Sequence, residues 1–491
     1  MEQLRRHPVA IAAALAFLAR LPALTRPLRA DEAGFLLVAR AWDPQPESMF
    51  GPYWVDRPPP LIAAFRAVDD LGGAPTLRIL GAVVAAASVL LAAALARQVA
   101  PGRAVPWTAG VTAALLSNPV IDVVAVKGEL LALPLLLASM VLTLRAVRRT
   151  SAPLALAAGL AAGLAVGLKQ NLATGLVFAG VLLLVAWRTG RLAGRPALRL
   201  ALAGAAGAAL PVVGTVAWAR AAGVRLGTLW DTVYGFRAAA ARVIADGSTD
   251  APERRAWLLL GIALVCGLVP VLAGLFAHLR ELWPDDPPLV AAAVAVVASD
   301  VAGLAAGGSF WRDYLTPLVP GAALCVALVA GRPAGAGRRM RGVVVGAAVS
   351  AVAAMGFWLV WNATGHQEFD EVRTGEALAS AAEPGDTLVV FGGRPDLQDA
   401  SGLGSPYPYL WTLPMRTRDP GYADLRALLA GPDAPTWLVE WVGLGSWAPD
   451  GVAALREVVA ARYAEHGTTC HGKPVYLLRG EDRPTVQPNC G

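Results

Sequence analysis

Long apolar runs, each close to the length a helix needs to cross hydrocarbon, recur along the first three quarters of the chain and are separated by short arginine-bearing turns. Read in order, the pattern predicts eleven membrane helices near residues 8–24, 76–98, 105–120, 129–145, 153–168, 171–187, 200–218, 256–277, 289–306, 314–330 and 343–361. After about residue 361 the pattern changes. Thr387–Phe391, Trp437–Val442 and Pro474–Leu478 read as strands, and 370–382, 420–430 and 450–464 read as helices. The expected fold is therefore mainly α: a polytopic transmembrane bundle over 1–361, with a soluble α/β domain over 362–491.

Composition supports a membrane protein, with 56% hydrophobic and 16% charged residues. A net charge of +6 raises nucleic acid as a partner, but the arginines lie in short clusters between spans rather than on one face, a pattern that sets topology. Placing Arg5, Arg6, Arg97, Arg103, Arg145, Arg148, Arg149, Arg188, Arg191, Arg195, Arg199, Arg332, Arg338, Arg339 and Arg341 inside puts the N-terminus in the cytoplasm. The odd number of spans then puts the C-terminal domain outside. Arg20 interrupts the first apolar run and no small-x-small site precedes Asp31, so this span reads as retained rather than as a cleaved signal.

Three outward segments remain: the loop 25–75, the loop 219–255 and the tail. The first opens Arg29-Ala30-Asp31-Glu32, a short helix with an acidic first turn and apolar positions suited to the membrane interface. An Asp at a helix cap is the alternative for Asp31. The same loop closes on Asp56-Arg57-Pro58-Pro59-Pro60, a stiff helix entry in which Arg57 pairs with Asp56 or with a lipid phosphate. Lysine is rare: of 42 basic residues only Lys127, Lys169 and Lys473 are Lys, and the first two stand at the outer ends of neighbouring spans. An ammonium there suits a phosphate; for either lysine, snorkelling to lipid or pairing with Glu129 is the alternative. Arg312 and Tyr314 precede Pro317 and Pro320 at another outer turn, and Asp300 is an intramembrane carboxylate with no partner visible in the sequence. Cys470 and Cys490 either form a bridge or remain two thiols. His466 and His471 flank Cys470 without the ligand spacing of a zinc site, and no metal is assigned.

The acidic pair, the Pro-rich segment, the span ending in Lys and the Arg-x-Tyr-x-x-Pro segment, in this order over residues 8–361, resemble the GT-C glycosyltransferases that use polyprenyl-phosphate sugars. The likeness is to the bacterial branch of protein O-mannosyltransferase-like, aminoarabinose transferase-like and lipopolysaccharide-core sugar transferase-like members. The resemblance implies Asp31 as base or acceptor-orienting group, with Glu32 as its neighbour. It implies substrate contacts at Asp56, Arg57, Lys169, Arg312 and Tyr314; Arg57 stands where the family has His. Lys127 and Glu129 stand where many members have Arg and Asp. The implied reaction is inverting transfer from a lipid-phosphate sugar to a glycan, lipid or protein acceptor of the cell envelope, on the outer membrane face. A divalent cation is left open as cofactor. A transporter or lipid flippase is the alternative, against which stand the lack of an internal repeat and the gathering of polar groups at one boundary. A scaffold protein is a third reading, for which no such polar constellation is needed.

Overall fold

A computed structural model describes residues 7–100, 102–247, 251–365 and 369–490; Arg5 and Arg6 lie outside them. Among the described residues, seven helices are long and apolar enough to cross a membrane: Pro8–Thr25, Ala74–Val99, Gly128–Arg149, Gly194–Ala221, Pro287–Ala306, Arg312–Val329 and Gly335–Ala363. The expected spans at 105–120, 153–168 and 171–187 are shorter apolar helices, Ala104–Leu116, Ala152–Leu168 and Thr174–Arg188. Seven helices, or eight if the bent pair Ala251–Val265 and Leu268–Ala277 is one span, therefore reach spanning length among the described residues, against the eleven expected. Leu202, Val213, Val352 and Phe357 are exposed on these helices, as expected of side chains that meet lipid.

The span expected as one helix over 256–277 is broken. Ala251–Val265 and Leu268–Ala277 meet at 73°, where Gly267 takes a φ of +83° that a side chain would disfavour. Prolines account for two further irregularities: Leu21–Thr25 and Arg312–Leu318 are 3₁₀ turns containing Pro22 and Pro317. The arginine loops gather at one end of the bundle. There Arg148 reaches Gln98 O, Arg199 reaches Thr150 O, and Arg191 and Arg332 both reach Asp285.

The loop 25–75 holds two helices, Ala30–Arg40 and Pro59–Asp70. The first was expected to lie in the membrane interface, but its apolar face is covered by protein. Phe35 packs on Phe65 with centroids 5.1 Å apart and on Trp411 at 5.8 Å, and Leu36 and Val38 are buried.

Among the described residues, the C-terminal region carries four strands: β1 (Leu388–Phe391), β2 (Trp437–Glu440), β3 (Tyr463–Thr468) and β4 (Pro474–Leu478), in the order β1-β2-β4-β3. β1 and β2 are parallel, joined through the Pro395–Ser401, Thr412–Arg418 and Ala423–Ala430 helices. β4 runs antiparallel to β2 and β3. Alternate residues face two cores: Val389, Phe391 and Leu438 enter one, Leu388, Val390, Trp437 and Val439 the other, so both faces of the sheet are covered. β3 was not expected. The helix predicted over 450–464 ends at Arg462, and Tyr463 begins an edge strand with a polar, irregularly paired sequence. Cys470 and Cys490 are disulfide-bonded.

This region interlocks with the first loop. Arg40 pairs with Asp69 (2.9 Å) and Asp399 (2.6 Å), Ser405 N donates to Tyr53 Oη (3.1 Å), and Trp54 N donates to Pro408 O (2.9 Å).

Candidate active site

The end of the bundle opposite the arginine loops holds a cluster of charged side chains. Its floor is the segment 122–127, whose backbone is held by buried groups. Arg20 donates to Ala125 O (3.0 Å), Arg78 donates to Val124 O (2.5 Å) and Pro27 O (2.9 Å), and Asp122 Oδ1 accepts from Val124 N (2.7 Å) and Ala125 N (3.0 Å). Glu32 completes the clasp: it accepts from Val126 N at 2.7 Å, from Arg29 N at 2.9 Å, and pairs with Arg78. With its side chain 0% exposed, Glu32 is part of the support rather than the reacting neighbour the sequence suggested. Arg29 occupies the helix cap and Glu32 reaches back to it, so the capping alternative for Asp31 does not hold.

Asp31, one residue earlier on the same helix, faces the cluster. Its Oδ2 meets Lys127 Nζ at 2.8 Å and its Oδ1 accepts from Trp411 Nε1 at 3.0 Å. Burial alone would raise the Asp31 pKa, but Lys127 and then Arg57 outweigh it and hold the carboxyl well below the usual range. Lys127 is raised well above its ordinary value: burial opposes the charge, and Asp31 followed by Asp313 overcomes it. The ammonium is also 3.5 Å from Asp313 Oδ2.

Of the two lysines for which pairing with Glu129 was an alternative, Lys127 is taken by Asp31 and Asp313. Glu129 pairs with Lys169, whose Nζ lies 4.9 Å above the Tyr314 ring. The two lysine-bearing helix ends come together at Gly128, where a Cβ would come within 2.8 Å of Leu168 O. Asp56 is shared by two guanidiniums, Arg57 at 2.6 Å and Arg237. Arg57 also lies over the Phe35 ring at 5.6 Å. Its pKa is raised: burial works against the charge, while Asp56, Asp31 and Glu129 support it. Gln170 Nε2 ties this corner together, donating to Asp56 O (3.2 Å) and Val233 O (3.0 Å). Val233 lies in a π-helical turn, Asp231–Gly235, just before Arg237.

Of the residues singled out in sequence, Asp31, Asp56, Arg57, Lys127, Glu129, Lys169 and Tyr314 lie together. Arg312 is exposed and has no ion pair among the described residues. Asp300 accepts from Thr174 Oγ1 at 2.8 Å, the partner the sequence did not show. Sequence reasoning missed three groups. Asp313, between Arg312 and Tyr314, reads as a mark of the membrane edge, Arg237 is one arginine among many, and Trp411 is 380 positions from its partner, where no local pattern links them. Among the described residues, no three or more His, Cys, Asp or Glu side chains are grouped to hold a metal ion.

A multi-pass bundle carrying a covered loop helix and a small C-terminal sheet region is the GT-C-like architecture the sequence resemblance implied. The crystal structure of ArnT from Cupriavidus metallidurans bound to undecaprenyl phosphate matches with a TM-score of 0.63 and 15% identity, over 95% of this chain and 97% of that one. The apo oligosaccharyltransferase from Archaeoglobus fulgidus matches with a TM-score of 0.56 and 11% identity, over 97% of this chain and 74% of that one. No family model matches the sequence, and no curated protein does.

Proposed function

We propose that the chain is a membrane glycosyltransferase that moves a sugar from a polyprenyl-phosphate donor to a cell-envelope acceptor on the outer face of the membrane. Residues 1–361 form its catalytic bundle, and 362–491 help build the site. The observation that carries this reading is the uneven pairing of charge. Asp56 lies between two guanidiniums, and Lys127 lies between two carboxylates. The first corner has positive charge to spare for a phosphodiester; the second keeps Asp31 ionised and offers Asp313 as a second partner for the Lys127 ammonium once Asp31 takes a proton. The ArnT structure similar to this chain holds undecaprenyl phosphate, which supports a lipid-phosphate donor.

In the proposed reaction an acceptor hydroxyl oxygen attacks the anomeric carbon, and the bond from that carbon to the phosphate oxygen breaks. The electron pair leaves with the polyprenyl phosphate, whose growing charge meets Arg57, Arg237 and Lys169. The hydroxyl proton passes to Asp31 as Lys127 slides toward Asp313, already 3.5 Å away. One in-line displacement gives inversion. Tyr314 holds the Lys169 ammonium over its ring, and Trp411 and Glu32 hold Asp31 and the 122–127 segment in place.

The test is transfer from a panel of radiolabelled polyprenyl-phosphate sugars to envelope acceptors by purified protein, with and without chelator, beside Asp31→Asn. The expected result is transfer from one donor, reduced about 10²–10⁴-fold in the variant. Full activity in a normally folded Asp31→Asn protein would remove Asp31 as base.

A further inference from the structure

The remote end of the bundle contains a cavity that the proposed reaction does not use. It has a volume of about 600 Å³ and lies between the Gly128–Arg149, Ala152–Leu168, Thr174–Arg188 and Gly194–Ala221 helices. Small side chains make the space: Ala146, Ala158, Gly175, Gly180, Ala197 and Gly204 line it. A void of that size in hydrocarbon is filled by something apolar, since its walls otherwise lose their dispersion contacts. Leu184, Trp187 and Leu198, also on its wall, are exposed, so the cavity opens sideways to the bilayer.

The charge at its mouth selects among apolar occupants. Arg188 follows Trp187, Arg195 follows Gly194, and Arg149 lies two residues beyond Val147, each next to a lining residue. All three arginines are exposed, and none has an ion pair among the described residues, whereas Arg191 nearby is paired to Asp286 at 3.3 Å. A neutral lipid gives these guanidiniums no counterion, whereas an acidic headgroup meets all three. Below them, the Thr143 hydroxyl lines the cavity, is buried, and has no hydrogen-bond partner among the described residues. It lies six residues, about 9 Å along the helix axis, from Arg149. A headgroup phosphate at the arginines would put a lipid's glycerol esters near this depth, where an ester carbonyl can accept from the hydroxyl.

We infer that this groove is a binding site for an anionic phospholipid of the leaflet at the arginine end, with an acyl chain in the cavity and the phosphate among Arg149, Arg188 and Arg195. Basic pockets between membrane helices hold acidic lipids by this chemistry. The site is independent of the sugar-transfer reading, because it shares no residue with the charged cluster.

The experiment uses the full-length protein in nanodiscs of phosphatidylcholine with or without phosphatidylglycerol, read by thermal unfolding and by native mass spectrometry of the lipid retained on release. The expected result is a midpoint several degrees higher with phosphatidylglycerol and one such lipid retained. Gly180→Leu, a position with open space around its Cβ, fills the groove, and the double variant Arg149→Gln/Arg195→Gln removes the counterions. Each is expected to lose at least half of the shift while unfolding normally in phosphatidylcholine. Equal stabilisation by the two lipids, or phosphatidylglycerol retained as well by Gly180→Leu as by the wild type, would overturn the assignment. So would undecaprenyl phosphate displacing phosphatidylglycerol from the groove.

Discussion

At the scale of single residues, Asp31 and Glu32 are adjacent in sequence and opposite in role. Asp31 takes its low pKa from Lys127 and Arg57 against the effect of burial. A carboxyl depressed in this way contributes stability above its unfolded value, and that contribution is lost only as pH falls through the lower folded value. Protonation of Asp31 therefore gives no acid limb in the rate profile between pH 7 and 5 in the wild type. Lys127→Met leaves burial as the leading influence, so the carboxyl rises and an acid limb moves into the measurable range. A kcat/KM profile unchanged in shape in this variant would contradict the pairing. Glu32 carries a different expectation. Its ion pair with Arg78 is fully enclosed, and removing one partner leaves a buried charge uncompensated. Arg78→Met is expected to cost about 3–5 kcal/mol in reversible unfolding in detergent. A loss below 1 kcal/mol would mean that water reaches the pair.

At the scale of elements, the apolar pattern located the helices of the bundle because burial in lipid demands a continuous run, but it overstated how many reach spanning length. It said little about where those runs bend. Gly267 and Pro317 mark their breaks only once the flanking helices are placed. β3 was hidden for another reason: an edge strand with Glu465, His466 and Gly467 in it carries almost no hydrophobic alternation. The Ala30–Arg40 helix was legible as a helix, but its surroundings were not, since Trp411 reaches it from the far end of the chain. Gly34 records that approach. A Cβ there would lie 2.2 Å from the Trp411 ring, so Gly34→Leu must push the C-terminal region off the helix. Faster proteolysis of the tail and lower transfer activity are expected together; full activity with normal proteolysis would show that the contact is dispensable.

At the scale of the whole molecule, the charged cluster draws on segments scattered from Asp31 to Asp313, with Trp411 added from the tail. Sequence order placed most of these groups at one boundary because span ends alternate between the two sides. Which cation meets which carboxylate depends on helix packing at Gly128 and on the π turn before Arg237, neither of which leaves a local pattern. The C-terminal region was expected as an α/β domain over the outer face, and it reaches further in than that: Trp411 donates to Asp31, Ser405 N donates to Tyr53 Oη, and Pro408 O accepts from Trp54 N. Its disulfide joins residues 20 apart and is expected to contribute roughly 3 kcal/mol, read as a lowered unfolding midpoint in Cys470→Ser/Cys490→Ser. Because the site is built from both parts of the chain, sugar transfer should fail when they are separated. The most direct measurement gives purified protein in liposomes a polyprenyl-phosphate sugar labelled separately in phosphate and sugar, together with envelope acceptor. The account predicts that the labels part, with one polyprenyl phosphate released for each sugar joined to acceptor. Labels that stay together while the intact donor crosses the bilayer would contradict it and make the chain a transporter.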